Sequence, residues 1–116
     1  MKKLTYIVDI DRTVFNTVNG DFHNAVGIPD RIAAINRLYR DGHTVIYWTG
    51  RDSYSGKSWH EFTRKQLSYY GCEYTELRSD KPNYDVWIDD KAINSEDFFK
   101  KPSQTLWWLF SFLILT

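Results

Sequence analysis

The stretch Leu4-Thr5-Tyr6-Ile7-Val8-Asp9-Ile10-Asp11-Arg12-Thr13 is an apolar, β-branched run that breaks off into two acids, a cation and a hydroxyl. A short apolar run bounded by polar residues suits a strand buried on both faces of a parallel sheet, and the pattern predicts one over residues 4–8. Downstream, His43 to Trp48 reads as a second strand, Glu73 to Leu77 as a weaker third and Tyr84 to Ile88 as a fourth. Helices are predicted between them. One opens at Pro29, carries Ile32, Ile35, Leu38 and Tyr39 at helical spacing, and closes at Gly42. A second starts in Ser58-Trp59-His60-Glu61, a capping-box pattern, and ends at Gly71. A short third one lies near Ser95 to Phe99. From Arg12 to Gly27 the residues are polar and irregular, which predicts a long functional loop or a small flap. Strands alternating with helices point to an open α/β sheet with mostly parallel strands.

At 116 residues the chain suits one domain, and 42% hydrophobic against 26% charged residues excludes disorder and a polytopic membrane protein as overall classes. Fifteen basic residues balance fifteen acidic ones, so there is no excess positive charge to favour nonspecific nucleic-acid binding. Cys72 is the only cysteine, which rules out an internal disulfide framework and a cysteine-based zinc site. Met1 to Asp9 shows no signal-peptide pattern, and a reduced cytoplasmic setting is expected.

In open α/β sheets the ligand crevice lies beyond the carboxyl ends of the strands. The residues there are Asp9, Asp11, Arg12 and Thr13 after the first strand, Thr49, Gly50 and Arg51 after the second, Lys81 before the fourth, and Asp89 and Asp90 after it. Asp9 and Asp11 point to the same side of an extended chain, about 7 Å apart. Four acids converging with Thr49 and Lys81 would repel one another unless a cation intervened. Magnesium suits them, because it takes oxygen ligands from one or two carboxylates, waters and substrate phosphate. Lys81 would offset the charge of an entering phosphate, and Thr49 would donate its hydroxyl to a phosphate oxygen.

The ordered set, a hydrophobic strand ending in D-x-D-x-T, a second ending in Thr, a later Lys and a last strand ending in Asp-Asp, resembles the four motifs of the haloacid dehalogenase superfamily of phosphatases. The resemblance runs from Leu4 to about Phe99. Thr49-Gly50-Arg51 and Ile88-Asp89-Asp90-Lys91-Ala92-Ile93 are similar to small capless members linked to capsule or other sugar-phosphate metabolism and to phage-encoded relatives. It implies a minimal Rossmann-like sheet without a cap domain. It also implies Asp9 as nucleophile, Asp11 as general acid then base, and Thr49, Gly50 and Lys81 as phosphate binders. Magnesium would sit on Asp9, on the backbone carbonyl of Asp11 and on the Asp89-Asp90 pair, with Asp90 nearest. Arg12, Thr13 and Arg51 stand where they would contact substrate. Many members have Gly where this chain has Arg12.

The expected function is therefore magnesium-dependent hydrolysis of a small phosphomonoester, such as a sugar phosphate, through an aspartyl phosphate. One alternative is a phosphatase of nucleotides or nucleic-acid ends, served by a basic track of Arg12, Arg51, Lys57, Arg64 and Arg78. Another is a phosphate-binding regulatory domain without turnover. A phospho-receiver domain has similar parts in a different order, since Thr49 here precedes Lys81 and the second acidic pair comes last. Tyr54, Trp59, Phe15 and Phe22 read as packing or as an aromatic rim, and the three histidines have no metal spacing. A catalytic domain over residues 1–101 leaves a tail from Pro102 to Thr116 without a charged side chain. Its apolar part, as a helix of about 18 Å, is too short for a bilayer core of roughly 30 Å. The tail is expected to pack on the domain and form a self-association surface, anchored by Trp107 and Trp108.

Overall fold

Strand β1 (Thr5–Val8) forms where the apolar run predicts it and lies parallel to β4 (Thr44–Trp48), with Thr5 opposite Thr44 and Val8 opposite Tyr47. β4 pairs in turn with β5 (Glu76–Arg78), also parallel, giving the order β1-β4-β5. The residues described in this computed structural model are 2–100. The expected boundary after residue 101 and the tail on which self-association rests lie outside them. Residues 2–85 and 86–100 form two units, each taken by itself below.

In the first unit, β4 alternates buried Val45 and Tyr47 with half-buried neighbours. Helix α1 (Pro29–Arg40) starts on proline, whose missing N–H costs nothing at a helix start. It buries Ile32 and Ile35 and ends before Gly42, whose φ of 93° only glycine adopts without strain. Val8, Ile10, Val14, Phe15, Tyr47 and Leu67 complete the core. The polar stretch after β1 is a small flap. Its two short strands, β2 (Phe15–Asn16) and β3 (Val26–Gly27), pair antiparallel around a 3-10 turn at Phe22–Asn24.

Four expectations change. β1 is not buried on both faces, for Ile7 is 62% exposed and β1 is an edge of the described sheet. The loop after β4 contains a short helix, α2 (Arg51–Ser55), too brief for periodicity to reveal. Helix α3 (His60–Tyr69) starts without its capping box, and the Trp59 N–H donates instead to Asp52 Oδ1 at 2.8 Å. Finally, Tyr84 to Ile88 is not a strand. Its apolar residues gain no strand partner, and Val86 and Ile88 are 74% and 92% exposed. In the second unit, α4 (Ser95–Phe99) is capped by Asn94, whose Oδ1 accepts from the Glu96 N–H at 2.8 Å.

Candidate active site

The parallel sheet brings the carboxyl ends of β1, β4 and β5 to one edge, and the backbone locks them together there. The Thr49 N–H donates to the Arg78 carbonyl at 2.8 Å, and the Lys81 N–H to the Thr49 carbonyl at 3.2 Å. At Gly50 a Cβ would come within 3.3 Å of the Lys81 carbonyl, a tight contact that a side chain could make only if the neighbouring backbone gave way by a few tenths of an ångström. Helix α2 fastens the same segment: the Ser53 hydroxyl donates to the Lys81 carbonyl at 2.8 Å, and the Asn83 amide to the Ser53 carbonyl at 2.9 Å.

Along this edge runs a cleft of about 500 Å³, lined by Asp9, Asp11, Arg12, Gly50, Arg51 and Lys81, with Thr17, Asn19, Phe22, Tyr54 and Tyr84 among the other wall residues. The Asp9 carboxylate is 39% exposed; its Oδ1 lies 3.2 Å from Lys81 Nζ, and its Oδ2 accepts from the Thr13 hydroxyl at 3.2 Å. Thr13 thus serves Asp9 and is not among the wall residues, which corrects its reading as a substrate contact.

Arg51 is the larger correction. Its side chain is fully buried, and its Nε and Nη2 donate to Asp11 Oδ2 and Oδ1, both at 2.8 Å. Its Nη1 donates to Thr63 Oγ1 at 3.1 Å and to Gln66 Oε1 at 2.7 Å, and its guanidinium lies 4.9 Å from the Phe22 ring centroid. With those donors committed, Arg51 holds Asp11 and has no fork left for substrate. Gln66 extends the network, its amide donating to the Phe22 carbonyl at 3.0 Å, so the flap, α2, α3 and Asp11 are tied through one buried guanidinium. Thr17 completes the setting of Asp11, donating its hydroxyl to Oδ1 at 2.6 Å. Sequence reading missed Thr17, Thr63 and Gln66. The available signal was a pair of polar residues, Thr63 and Gln66, at helical spacing on the face of α3 that also presents Leu67 to the core.

Thr49 is buried and, like Thr13, is not among the wall residues of the cleft; its hydroxyl oxygen accepts from the Arg51 N–H at 3.1 Å. Arg12 has φ of 63°. A non-glycine residue in this left-handed region costs about 1–2 kcal/mol. That conformation is imposed by a tight turn in which the N–H groups of Thr13, Val14 and Phe15 converge on the Ile10 carbonyl and that of Arg12 reaches the Phe15 carbonyl at 2.7 Å. The turn accounts for the glycine usual at this place in the motif.

In the second unit, Asp89 caps a turn: Oδ1 accepts from the Lys91 N–H at 2.6 Å and Oδ2 from the Trp87 indole at 3.0 Å. The bond from the Lys91 backbone, then that from Trp87, holds its carboxyl below the usual range. Asp90 is exposed, with Lys91 Nζ beside it at 3.3 Å. The acids do not need a metal for neutralisation in the way the sequence implied, since Asp9 has Lys81 and Asp11 has Arg51. Their all-oxygen chemistry suits magnesium. Among the described residues, however, no three acidic, histidine or cysteine side chains gather into a metal-binding group. With its carboxylate taken by Arg51 and Thr17, Asp11 offers a metal only its backbone carbonyl.

The architecture is an open α/β fold, with Asp9, Asp11, Gly50, Arg51 and Lys81 at the carboxyl edge of a parallel sheet. The crystal structure of a target protein from Vibrio cholerae matches it with a TM-score of 0.72 over 95% of this chain and 98% of that one, at 22% identity. Over 56 residues, 48% of this chain, the sequence is 41% identical to Phosphoglycolate phosphatase of Nitrosopumilus maritimus (strain SCM1). The matched part is 22% of that relative's length. No family model matches the chain. No helix among the described residues is long and apolar enough to cross a membrane.

Proposed function

We propose that this protein is a phosphatase that hydrolyses a phosphomonoester of a small metabolite through an aspartyl phosphate on Asp9. The observation that carries this reading is the Asp9 carboxylate itself, exposed in a cleft beside Lys81 and two residues from an Asp11 held rigidly by Arg51 and Thr17.

An Asp9 oxygen attacks phosphorus, and the bond from phosphorus to the ester oxygen breaks. Asp11 supplies the proton that the leaving oxygen needs. In the second step Asp11 takes a proton from water, the water oxygen attacks phosphorus, and the bond to Asp9 breaks to release inorganic phosphate. Oδ1 of Asp11 accepts from both Thr17 and Arg51, whereas Oδ2 accepts from Arg51 Nε, so Oδ2, with a lone pair open, is the Asp11 oxygen suited to carry that proton. Lys81, on the cleft wall, sets positive charge against the phosphoryl oxygens. Magnesium enters on the resemblance: in the first unit Asp9 and the Asp11 carbonyl would hold it, and it would neutralise phosphoryl charge. The flap and α2, rather than a cap domain, would select the substrate.

The nucleic-acid alternative loses its basic track, because Arg51 is buried on Asp11, Arg64 pairs with Glu61 and Arg78 pairs with Asp80. Phosphate release from sugar phosphates, nucleotides and phosphorylated oligonucleotides, with magnesium and with chelator, tests the proposal. Wild type should turn over repeatedly with magnesium and stop with chelator, while Asp9→Asn should lose at least the 10²- to 10⁴-fold typical of a lost acid or base, about the least a nucleophile is worth. Near-normal release by purified, folded Asp9→Asn would sink the assignment.

A further inference from the structure

Five charged side chains line the cleft, the carboxylates of Asp9 and Asp11 and the cations of Arg12, Arg51 and Lys81. Two of the cations are committed, Lys81 to Asp9 at 3.2 Å and Arg51 to Asp11 at 2.8 Å. Arg12 is exposed and its guanidinium meets no carboxylate, carbonyl or ring among the described residues. The cleft therefore holds one more cation than its own acids use, on the wall formed by the turn that carries the nucleophile. The other wall residues include the neutral Asn19, Tyr54, Asn83 and Tyr84. Arg12 also occupies a left-handed position where glycine would fit without strain, so its side chain is not explained by the turn it sits in.

We propose that Arg12 is a specificity-determining residue whose guanidinium binds a second anionic group, a carboxylate or a phosphate, on the part of the substrate that leaves. The preferred substrates are then phosphomonoesters with a negatively charged remainder. This rests on the phosphatase reading above. Arginine suits the task, since its planar fork matches the two oxygens of either anion.

Three probes on one skeleton separate the cases: glycerol 3-phosphate has a neutral remainder, 3-phosphoglycerate a carboxylate and glycerol 1,3-bisphosphate a second phosphate. Wild type should prefer one or both anionic probes in kcat/KM, and Arg12→Gly should reduce that preference by about 10- to 100-fold, the worth of a hydrogen bond to a charged group. Arg12→Lys should keep part of it. The melting temperature of Arg12→Gly should not fall, whereas loss of a merely structural arginine would lower it. No preference in wild type, or the same preference in Arg12→Gly, overturns the proposal. Binding separates this failure from that of the phosphatase reading. Calorimetry of 3-phosphoglycerate and of glycerol 1,3-bisphosphate against Asp9→Asn, with and without Arg12→Gly, needs no turnover. At least one of the two should bind 10- to 100-fold more weakly when Arg12 is absent. Equal affinities for both probes would refute Arg12 even if every variant were inert, and a loss of affinity without any turnover would refute the enzyme while sustaining the anion site.

Discussion

At Arg51 a charge with no exposed surface survives in the core because its partners are complete: Asp11 in a two-pronged pair, Thr63, Gln66, and the face of Phe22. Removing one member of a buried pair is costly because the other is left without compensation, about 3–5 kcal/mol. Arg51→Met should therefore lower the unfolding free energy by about that much. Arg51→Lys keeps the charge but cannot span two Asp11 oxygens and two α3 side chains at once. It should remain folded, with kcat reduced more than KM is raised, since Asp11 acts in the chemical step and Arg51 only aims it. Steady-state kinetics beside urea titration checks this, and a lysine variant with wild-type kcat would show that the pair is structural alone.

The ends of β4 and β5 are clasped by Asp80, which accepts from the Trp48 indole at 2.7 Å and from Arg78 at 2.9 Å. Arg78 first, then Trp48, pulls the carboxyl from an ordinary 3.8 down to about 2. A depressed folded value means the unfolded chain takes up the proton more readily. The stability that Asp80 adds is thus fully present above the unfolded value of 3.8 and is lost as pH falls through the folded value of about 2. Wild type should exceed Asp80→Asn in stability at pH 5, converge with it near pH 2, and lose most of the margin in high salt because the group is exposed. A margin independent of pH would place the effect elsewhere. The elements joined by this clasp were legible to different degrees. β4 and α1 could be read because enough residues repeat a two- or 3.6-residue period and because proline and glycine mark the helix ends. The five residues of α2 carry no such period, and Tyr84 to Ile88 has a strand's composition without strand pairing. For the site, Asp9 was legible as an acid placed after an apolar run, and Lys81 as a cation placed before the fourth expected strand. The role of Arg51 was not, since it depends on Thr63 and Gln66 meeting it across the fold.

For the whole chain, equal numbers of acidic and basic residues and an isoelectric point near 6.8 leave little mutual repulsion at neutral pH. Low net charge permits association, and exposed apolar surface drives it. Ile7, Val86, Ile88 and Ile93 are exposed, and the sequence from Pro102 onward, outside the described residues, adds fifteen without charge. These features make self-association the proposed behaviour of the intact protein, with a pH dependence that simple apolar burial would lack. Below the isoelectric point the chain is increasingly positive, and above it increasingly negative. Repulsion grows on both sides while the apolar attraction stays constant. Sedimentation of the full chain at tens of micromolar (about 10–100 μM), at low salt, should give a mass above 13.8 kDa that peaks near pH 6.8 and declines toward pH 5.5 and pH 9. Added salt should flatten the decline by screening the repulsion without raising the peak. A 13.8 kDa monomer throughout would show that the apolar residues are covered within each chain, and an associated state insensitive to pH would show that net charge does not limit it.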